Sequence, residues 1–341
     1  MNTPRMRLAL LALVLSLLWF GVGGITMLSE EEERVWDTIR TGQHSLWNEQ
    51  LRRGIELSAE EDKMKTGFIG VEWSPLTTTL GDLEAKRTAA NPMWGIQCLR
   101  WFDALHLKAG DRIAITSSSS FPALLFSALV AAEARGLDVL LSVSLGSSTW
   151  GGNRADFSWP LMAEHLRSSG FIKTKTAFYT LGGSGERGGD FTPELIDALR
   201  DLVKKEGAPL LEPTDIKKAI HEKSVKVNGF KPLLVVNIGG SHANMGDDPH
   251  ILQLSQGLLL PTPQNIQNGG DGVIGKTLQS GTPVLHLLNI KALALEAGIP
   301  WDADQFSKIR AGSRLWPSFL GLLIFFVVLI RYKRWEWRDH G

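Results

Sequence analysis

Short runs of apolar residues alternate with helix-like segments through most of the chain, and each run ends in small or polar residues. These runs predict strands at 113–115, 139–143, 177–181, 233–238 and 284–288. Strands that are apolar throughout are typical of a parallel sheet covered by helices on both faces. We therefore predict an α/β fold with a Rossmann-like open, mostly parallel sheet.

Residues typical of helix ends support the prediction of helices between these strands. An apolar stripe over 124–132 stops at Gly136, a residue that often ends helices. Thr192 followed by Pro193 is typical of a helix N-terminus, where a hydroxyl caps the first free N–H groups. The stretch 244–272 is rich in Pro, Gly, Asn and Gln and predicts a long loop or lid.

The most apolar stretches lie at the two ends of the chain. Residues 8–28 carry no charge and are long enough to cross a hydrocarbon core of about 30 Å. Residues 315–330 are a shorter stretch, with aromatic residues at both ends. We expect a transmembrane helix in each stretch; a cleaved signal peptide and a buried core helix are the respective alternatives.

The charges that flank these stretches predict the topology. Basic residues lie at the outer end of each stretch, which places 1–7 and the basic tail 331–341 in the cytoplasm. Residues 29–65 then predict a helical stalk, and 66–314 an extracytoplasmic α/β domain. The expected localisation is the plasma (inner) membrane, with two spans and both termini cytoplasmic.

Composition narrows the classes of partner and cofactor. The chain has 36 Lys+Arg and 36 Asp+Glu, so no excess of positive charge indicates a nucleic-acid partner. Its single cysteine, Cys98, excludes an internal disulfide framework and a cysteine-rich zinc module. We expect no cofactor.

Four of the predicted strands end in small polar loops, at 117–120, 146–149, 182–189 and 239–244. In open α/β sheets, ligands bind at the carboxyl ends of the strands. Backbone N–H groups and hydroxyls in such loops suit an anion, either a carboxylate or a phosphate. The predicted ligand-binding residues are Ser117, Ser118, Ser119, Ser120, Ser147, Ser148, Gly183, Ser184, Gly185, Arg187, Asn237, Gly239, Gly240, Ser241 and His242. The catalytic residues are left unknown.

Two further motifs carry little weight. Gly183, Gly185 and Gly188 spell G-x-G-x-x-G, but 35 glycines make a chance match common, and the following helix starts late. Residues 270–277 match G-x-x-x-x-G-K-[ST], but they follow a predicted loop and not a strand, so ATP-driven ligation is not assigned to the chain.

A cluster of metal-binding residue types lies in one loop, with members His242, Asp247, Asp248 and His250. Its spacing fits no established zinc motif, and solvated loop residues explain it equally well. We therefore predict no metal site. A Ser/His/Asp triad is kept as an alternative, because the members of a triad come together in space and need not be close in sequence.

Several longer phrases resemble the poly-γ-glutamate system protein family. They lie at 70–81, 83–88, 118–124, 144–151, 182–189, 236–240 and 286–290, and the resemblance extends over nearly the whole outer domain, from Gly67 to Pro300. The resemblance implies an accessory membrane component of a poly-γ-glutamate synthesis and export system. It implies three kinds of partner: the membrane, the polymer or its precursors, and the ligase and membrane subunits of the system. It transfers no catalytic residues.

Two functions follow as expectations. The first is an accessory component whose outer domain handles or organises the polymer. The alternative is an extracytoplasmic γ-glutamyl hydrolase or transferase that acts on the polymer, suggested by the serines and His242 in the strand-end loops.

Overall fold

The computed structural model describes residues 28–189 and 191–308, with shorter pieces at 11, 15, 25–26, 310–311, 320–321, 323–328 and 330–331. The chain divides into two compact units, 30–306 and a terminal unit of 1–29 with 307–341. In the terminal unit, Ile25–Thr26 pairs antiparallel with Arg310–Ala311. The larger unit is a mixed α/β domain.

The strands of this domain are β1 (Thr77–Thr79), β2 (Arg112–Ser118), β3 (Asp138–Ser144), β4 (Ser147–Ser148), β5 (Thr176–Thr180), β6 (Leu210–Leu211), β7 (Leu234–Ile238), β8 (Gly257–Leu259) and β9 (Val284–Leu287). Its helices are α1 (Glu30–Arg52), α2 (Leu83–Ala89), α3 (Met93–Ala104), α4 (Pro122–Ala134), α5 (Trp159–Ser168), α6 (Pro193–Glu206), α7 (Ile216–Phe230), α8 (His242–Met245), α9 (Pro263–Asn268), α10 (Val273–Gln279) and α11 (Ile290–Ala297).

The main sheet has the strand order β6-β5-β3-β2-β7-β9-β8. Neighbouring strands are parallel except for β8, which runs antiparallel to β9. The chain moves outward from β2 through β3, β5 and β6, and then returns to the other side of β2 as β7. Because the strand order reverses between β2 and β7, the loops at their carboxyl ends diverge and open a crevice.

One face of the sheet changes from apolar to polar toward the carboxyl edge. Across β3, β2, β7 and β9, the register first aligns Leu140, Ala114, Val235 and Val284. Two residues further on, it aligns a buried polar row of Ser142, Thr116, Asn237 and His286. The apolar row packs into the core, and the polar row approaches the crevice.

Hydrogen bonds join the polar row to α8. Asn237 Nδ2 donates to His286 Nδ1 at 3.0 Å, and Asn244 Nδ2 donates to Asn237 Oδ1 at 2.8 Å. Burial lowers the pKa of His286 to about 4, so its ring is neutral at pH 7.

Helix α1, which lies in the segment expected to be a stalk, belongs to the compact domain. Its buried face includes Val35, Ile39 and Leu46, and it packs against α3, α4 and α5. Gln43 Nε2 donates to the backbone oxygen of Ala90 at 2.6 Å, which ties the helix to the segment before α3.

The predicted N-terminus of α6 is confirmed. Thr192 caps this helix, with its hydroxyl accepting from the N–H of Leu195 at 3.3 Å.

The stretch 244–272, predicted as a loop or lid, contains the edge strand β8, helix α9 and a 3₁₀ turn at Pro249–Gln253. Its apolar residues Ile251, Leu254 and Leu259 are buried in the core, and this burial explains why the segment is ordered.

The prediction of a fold flanked by two transmembrane helices is wrong. Most of 8–28 and part of 315–330 lie outside the described residues. None of the helices in the described part of the chain is sufficiently long and apolar to cross a membrane. Helix α1 has the length, at 23 residues, but four glutamates fill its first turn. The predicted localisation, with two spans in the inner membrane, is corrected on the same finding. A span needs length and apolarity together in one helix.

Candidate functional site

A cavity of about 330 Å³ opens at the carboxyl ends of β2, β3, β5 and β7. Hydroxyl groups and glycine backbone dominate its wall, whose residues are Thr78, Thr79, Ser118, Ser120, Ser144, Gly146, Gly182, Gly183, Ser184, Gly240, Ser241 and His242. Such a wall offers many small hydrogen-bond donors and little apolar surface.

A second cavity of about 270 Å³ adjoins the first, and the two share Thr78 and Ser184. Its remaining lining residues are Trp73, Ser74, Pro75, Thr77, Gly189, Phe191 and Thr192. Together the cavities form a groove that is polar at one end and partly aromatic at the other.

A buried ion pair lies directly behind the wall of the first cavity. The Nζ atom of Lys223, on α7, is 3.5 Å from Oε1 of Glu186, and the two side chains are only 1% and 0% exposed. Lys223 Nζ also donates to the hydroxyls of Ser144 and Ser241, both at 3.2 Å. The two serines therefore connect the buried charges to the cavity.

The carboxylate of Glu186 has its acceptor positions filled. Its Oε2 accepts from Thr180 Oγ1 at 2.6 Å and from Ser144 Oγ at 3.0 Å. Its Oε1 accepts from the backbone N–H of Ala243 at 3.0 Å and from Ser241 Oγ. These contacts hold Glu186 at φ 61°, a left-handed conformation that costs a non-glycine residue about 1 kcal/mol or more.

Opposing effects set the charge state of this pair. Burial alone would raise the pKa of Glu186, but Lys223 and hydrogen bonds from Ser241 and Thr180 outweigh it, and the pKa lies below 4.5. Burial lowers the pKa of Lys223, and the adjacent carboxylate partly restores it. The pair thus presents an ionised carboxylate to the serines at neutral pH.

His242 connects two of the loops. Its Nδ1 accepts from the N–H of Gly185 at 3.0 Å, and its Nε2 lies 2.7 Å from Asp247 Oδ1. The first bond places the ring proton on Nε2, from which it is donated to Asp247. Since both ring nitrogens are occupied in this way, His242 does not form a Ser/His/Asp triad with Ser241 in this conformation.

Lys86 is a second buried cation near the cavity. Its Nζ donates to the backbone oxygen of Ser120 at 2.6 Å and to Ser148 Oγ at 2.7 Å, and it lies 3.6 Å from the ring centroid of Phe121. Burial lowers the pKa of Lys86 to about 7, which Asp82 only partly opposes. This amine supports the backbone at Ser120, a residue of the cavity wall.

The predicted site residues fall into two groups. Those that line the first cavity are Ser118, Ser120, Gly183, Ser184, Gly240, Ser241 and His242. Those that are not among its lining residues are Ser117, Ser119, Ser147, Ser148, Gly185, Arg187, Asn237 and Gly239. Gly146 also lines the cavity, so each of the four predicted loops contributes to it.

The second group mainly supports the loops. Ser119 Oγ donates to the backbone oxygen of Ser144 at 2.9 Å, and Ser147 Oγ donates to that of Ser119 at 3.1 Å. Ser117 Oγ bonds the backbone oxygen of Ser118, while exposed Arg187 donates to that of Thr214. Ser148 bonds to Lys86, Gly185 bonds to His242, and Asn237 belongs to the polar row. Gly239 lies close to Ser118 and has φ 78°.

Sequence reasoning missed Glu186, Lys223 and Lys86, together with the lining residues Thr78, Thr79, Ser144, Gly146 and Gly182. Glu186 lies within a predicted loop, yet its residue type there indicates solvent exposure. Lys223 is one of several lysines on α7, and no local pattern marks it as buried. Thr78 and Thr79 precede the predicted sheet and reach the cavity only because β1 pairs with β4.

The loop with the metal-binding residue types forms two separate pairs, His242 with Asp247 and His250 with Asp248. Within the described residues, no three His, Cys, Asp or Glu side chains come together in a way that could hold a metal ion. No family model, curated protein or solved structure matches the chain.

Proposed function

We propose that the protein is an accessory component of a poly-γ-glutamate synthesis or export system, and that the groove holds a segment of the polymer or its precursor. The observation that carries the proposal is the pair of adjoining cavities with a donor-rich wall. The family resemblance of the surrounding loops supports the choice of polymer. The ligase of that system is the proposed partner.

The charge of the groove suits a polyanion with one carboxylate per residue. Among the described residues that line either cavity, none is Asp or Glu. Ser118, Ser120 and Ser184 offer hydroxyl donors, and the N–H of Gly240 donates to no acceptor in the described part of the chain. The nearby carboxylate of Glu186 is balanced by Lys223, so the groove does not repel an anion.

The shape of the groove suits a linear chain. A γ-linked glutamyl unit places two methylene groups in its backbone and its carboxylate to one side. The hydroxyl-lined cavity would take a carboxylate, while Trp73, Pro75 and Phe191 in the second cavity would contact the methylene groups. Thr78 and Ser184, at the junction, would contact successive units.

Binding of defined γ-glutamyl oligomers, measured by calorimetry or tryptophan fluorescence, tests the proposal. Thr78→Trp should fill the junction and weaken binding at least tenfold. The matched control is Thr41→Trp, at an exposed threonine on α1 outside both cavities. Poly-α-glutamate of equal length controls for charge alone. Failure of the unaltered protein to bind the oligomers, or equal binding by the two variants, would contradict the proposal.

A further inference from the structure

We propose that Ser241, Glu186 and Lys223 form an acyl-transfer centre in the first cavity, with Ser241 as nucleophile toward a γ-glutamyl amide. This inference rests on the proposed function for its substrate class and adds an activity to it. It starts from a contact that binding alone does not require: a cavity-lining hydroxyl donates directly to a buried carboxylate.

The position of Ser241 suits a nucleophile. It lines the cavity, follows Gly240 at the carboxyl end of β7, and directly precedes α8. Its hydroxyl donates to Glu186 Oε1 and accepts from Lys223 Nζ at 3.2 Å. The proton of Ser241 Oγ therefore already points to a base, which leaves a lone pair available for attack.

Glu186 has the properties of a base held ready for this proton. It is fully buried and makes four other contacts, to Thr180, Ser144, Ala243 and Lys223, which prevent it from turning away. Its left-handed backbone shows that the loop holds this side chain in place at a cost. Lys223 is a positioning residue, which balances the carboxylate and orients both serines.

The proposed reaction is balanced in atoms and protons. Ser241 Oγ bonds to the amide carbonyl carbon while its proton moves to Glu186 Oε1. The C–N bond then breaks, and the leaving amine takes the proton from Glu186. Water, or an acceptor amine, attacks the resulting ester and passes a proton through Glu186 back to Ser241 Oγ. Water gives hydrolysis, and an amine gives transfer of the γ-glutamyl group.

Ser241 is favoured over the other serines of the wall. Ser144 also contacts Glu186, but it lies at the end of β3 and shares a hydrogen bond with Thr180 at 2.9 Å. Ser184 is exposed in the same cavity and has no contact with Glu186 among the described hydrogen bonds. Ser255→Ala is the control, because Ser255 is exposed and lines neither cavity.

A fluorophosphonate probe, which reacts covalently with activated serines, tests the inference on the full-length protein. Mass spectrometry of the labelled protein should place the adduct on Ser241. Ser241→Ala should abolish labelling, and Ser255→Ala should retain it. The labelling rate should decline only at a pH below the ordinary range of a glutamate carboxyl, because Glu186 must be ionised and its pKa is lower than usual. Adducts on other serines, or no adduct at all, would overturn the inference.

A second pair of variants separates a role in catalysis from a role in folding. Glu186→Gln alone leaves a buried lysine unpaired, whereas Glu186→Gln with Lys223→Met removes both charges. If the double variant unfolds at the same urea concentration as the unaltered protein, its labelling should still be at least a hundredfold slower. Labelling at the original rate would refute a role for Glu186. If the double variant does not fold, the pH dependence and the site of the adduct decide.

Binding of γ-glutamyl oligomers to Ser241→Ala distinguishes this inference from the function on which it rests. If the variant binds the oligomers but is not labelled, both proposals stand. If the unaltered protein binds but is never labelled, the acyl-transfer centre is refuted and the binding function survives. Labelling at Ser241 without any oligomer binding would support the centre and refute the polymer as its substrate.

Discussion

Replacing Lys86 with methionine should change how the stability of the protein depends on pH. The ammonium of Lys86 is buried and has no carboxylate within ion-pair distance among the described residues. Burial lowers its pKa from 10.5 to about 7. One pKa unit corresponds to about 1.4 kcal/mol, so the full effect on the free energy of unfolding is about 5 kcal/mol.

The sign follows from proton binding. Because the pKa of Lys86 is lower in the folded protein, the unfolded chain binds more protons between about pH 7 and pH 10.5. The free energy of unfolding should therefore rise with pH across that window, while below it the destabilisation is fully present. Methionine binds no proton, so the variant lacks this contribution. Between pH 7 and pH 10, we expect the stability difference to move in favour of the unaltered protein by about 4 kcal/mol.

Urea unfolding followed by tryptophan fluorescence at pH 7, 8, 9 and 10 provides the measurement. Taking the difference between the two proteins cancels every other group that titrates in this range. Lys173→Met, at an exposed lysine, is the matched control. Its free energy of unfolding should change with pH in the same way as that of the unaltered protein. If the stability of Lys86→Met showed this same pH dependence, the amine of Lys86 would not titrate in the folded protein as described, and the reasoning would fail.

Three further substitutions test other contacts by the same assay. Glu186→Gln should destabilise the protein by about 3–5 kcal/mol, because it leaves Lys223 buried and unpaired. Adding Lys223→Met should recover most of this loss. A single variant as stable as the unaltered protein would contradict the prediction. Burial lowers the pKa of His286 from 6.5 to about 4, so the free energy of unfolding should fall by about 3 kcal/mol as the pH drops across that window. His286→Gln should lack this dependence, and an equal change of stability with pH in the two proteins would contradict the prediction. Thr192→Ala should cost about 1 kcal/mol because it removes the cap of α6, while Thr41→Ala, on an exposed helix face, should cost little; equal losses would argue against the cap.

The central strands could be predicted from sequence for a physical reason. A parallel strand buried on both faces is mostly apolar, and β2, β7 and β9 each contain a short apolar run, at 113–115, 234–236 and 284–285. The same logic located the cavity, because parallel strands bring their carboxyl-end loops together regardless of what the loops contain.

The chemistry behind the cavity wall could not be predicted in this way. Glu186 and Lys223 meet only after α7 has packed on the sheet, and neither residue type signals burial in its own segment. Lys86 is similar, since its partners lie on two distant loops, at Ser120 and Ser148. The two spans were predicted from apolar runs and their flanking charges, and among the described residues no helix is long and apolar enough to cross a membrane.

The edges of the main sheet bear on how the protein behaves at high concentration. Its outermost strands are β6, with two residues, and β8, with three. Strands this short offer a neighbouring molecule almost no row of free N–H and C=O groups to extend, although the strands inside the sheet are strongly apolar. The α/β domain should therefore resist fibril-like association through its sheet while it stays folded, and such association should begin only when the central strands are uncovered.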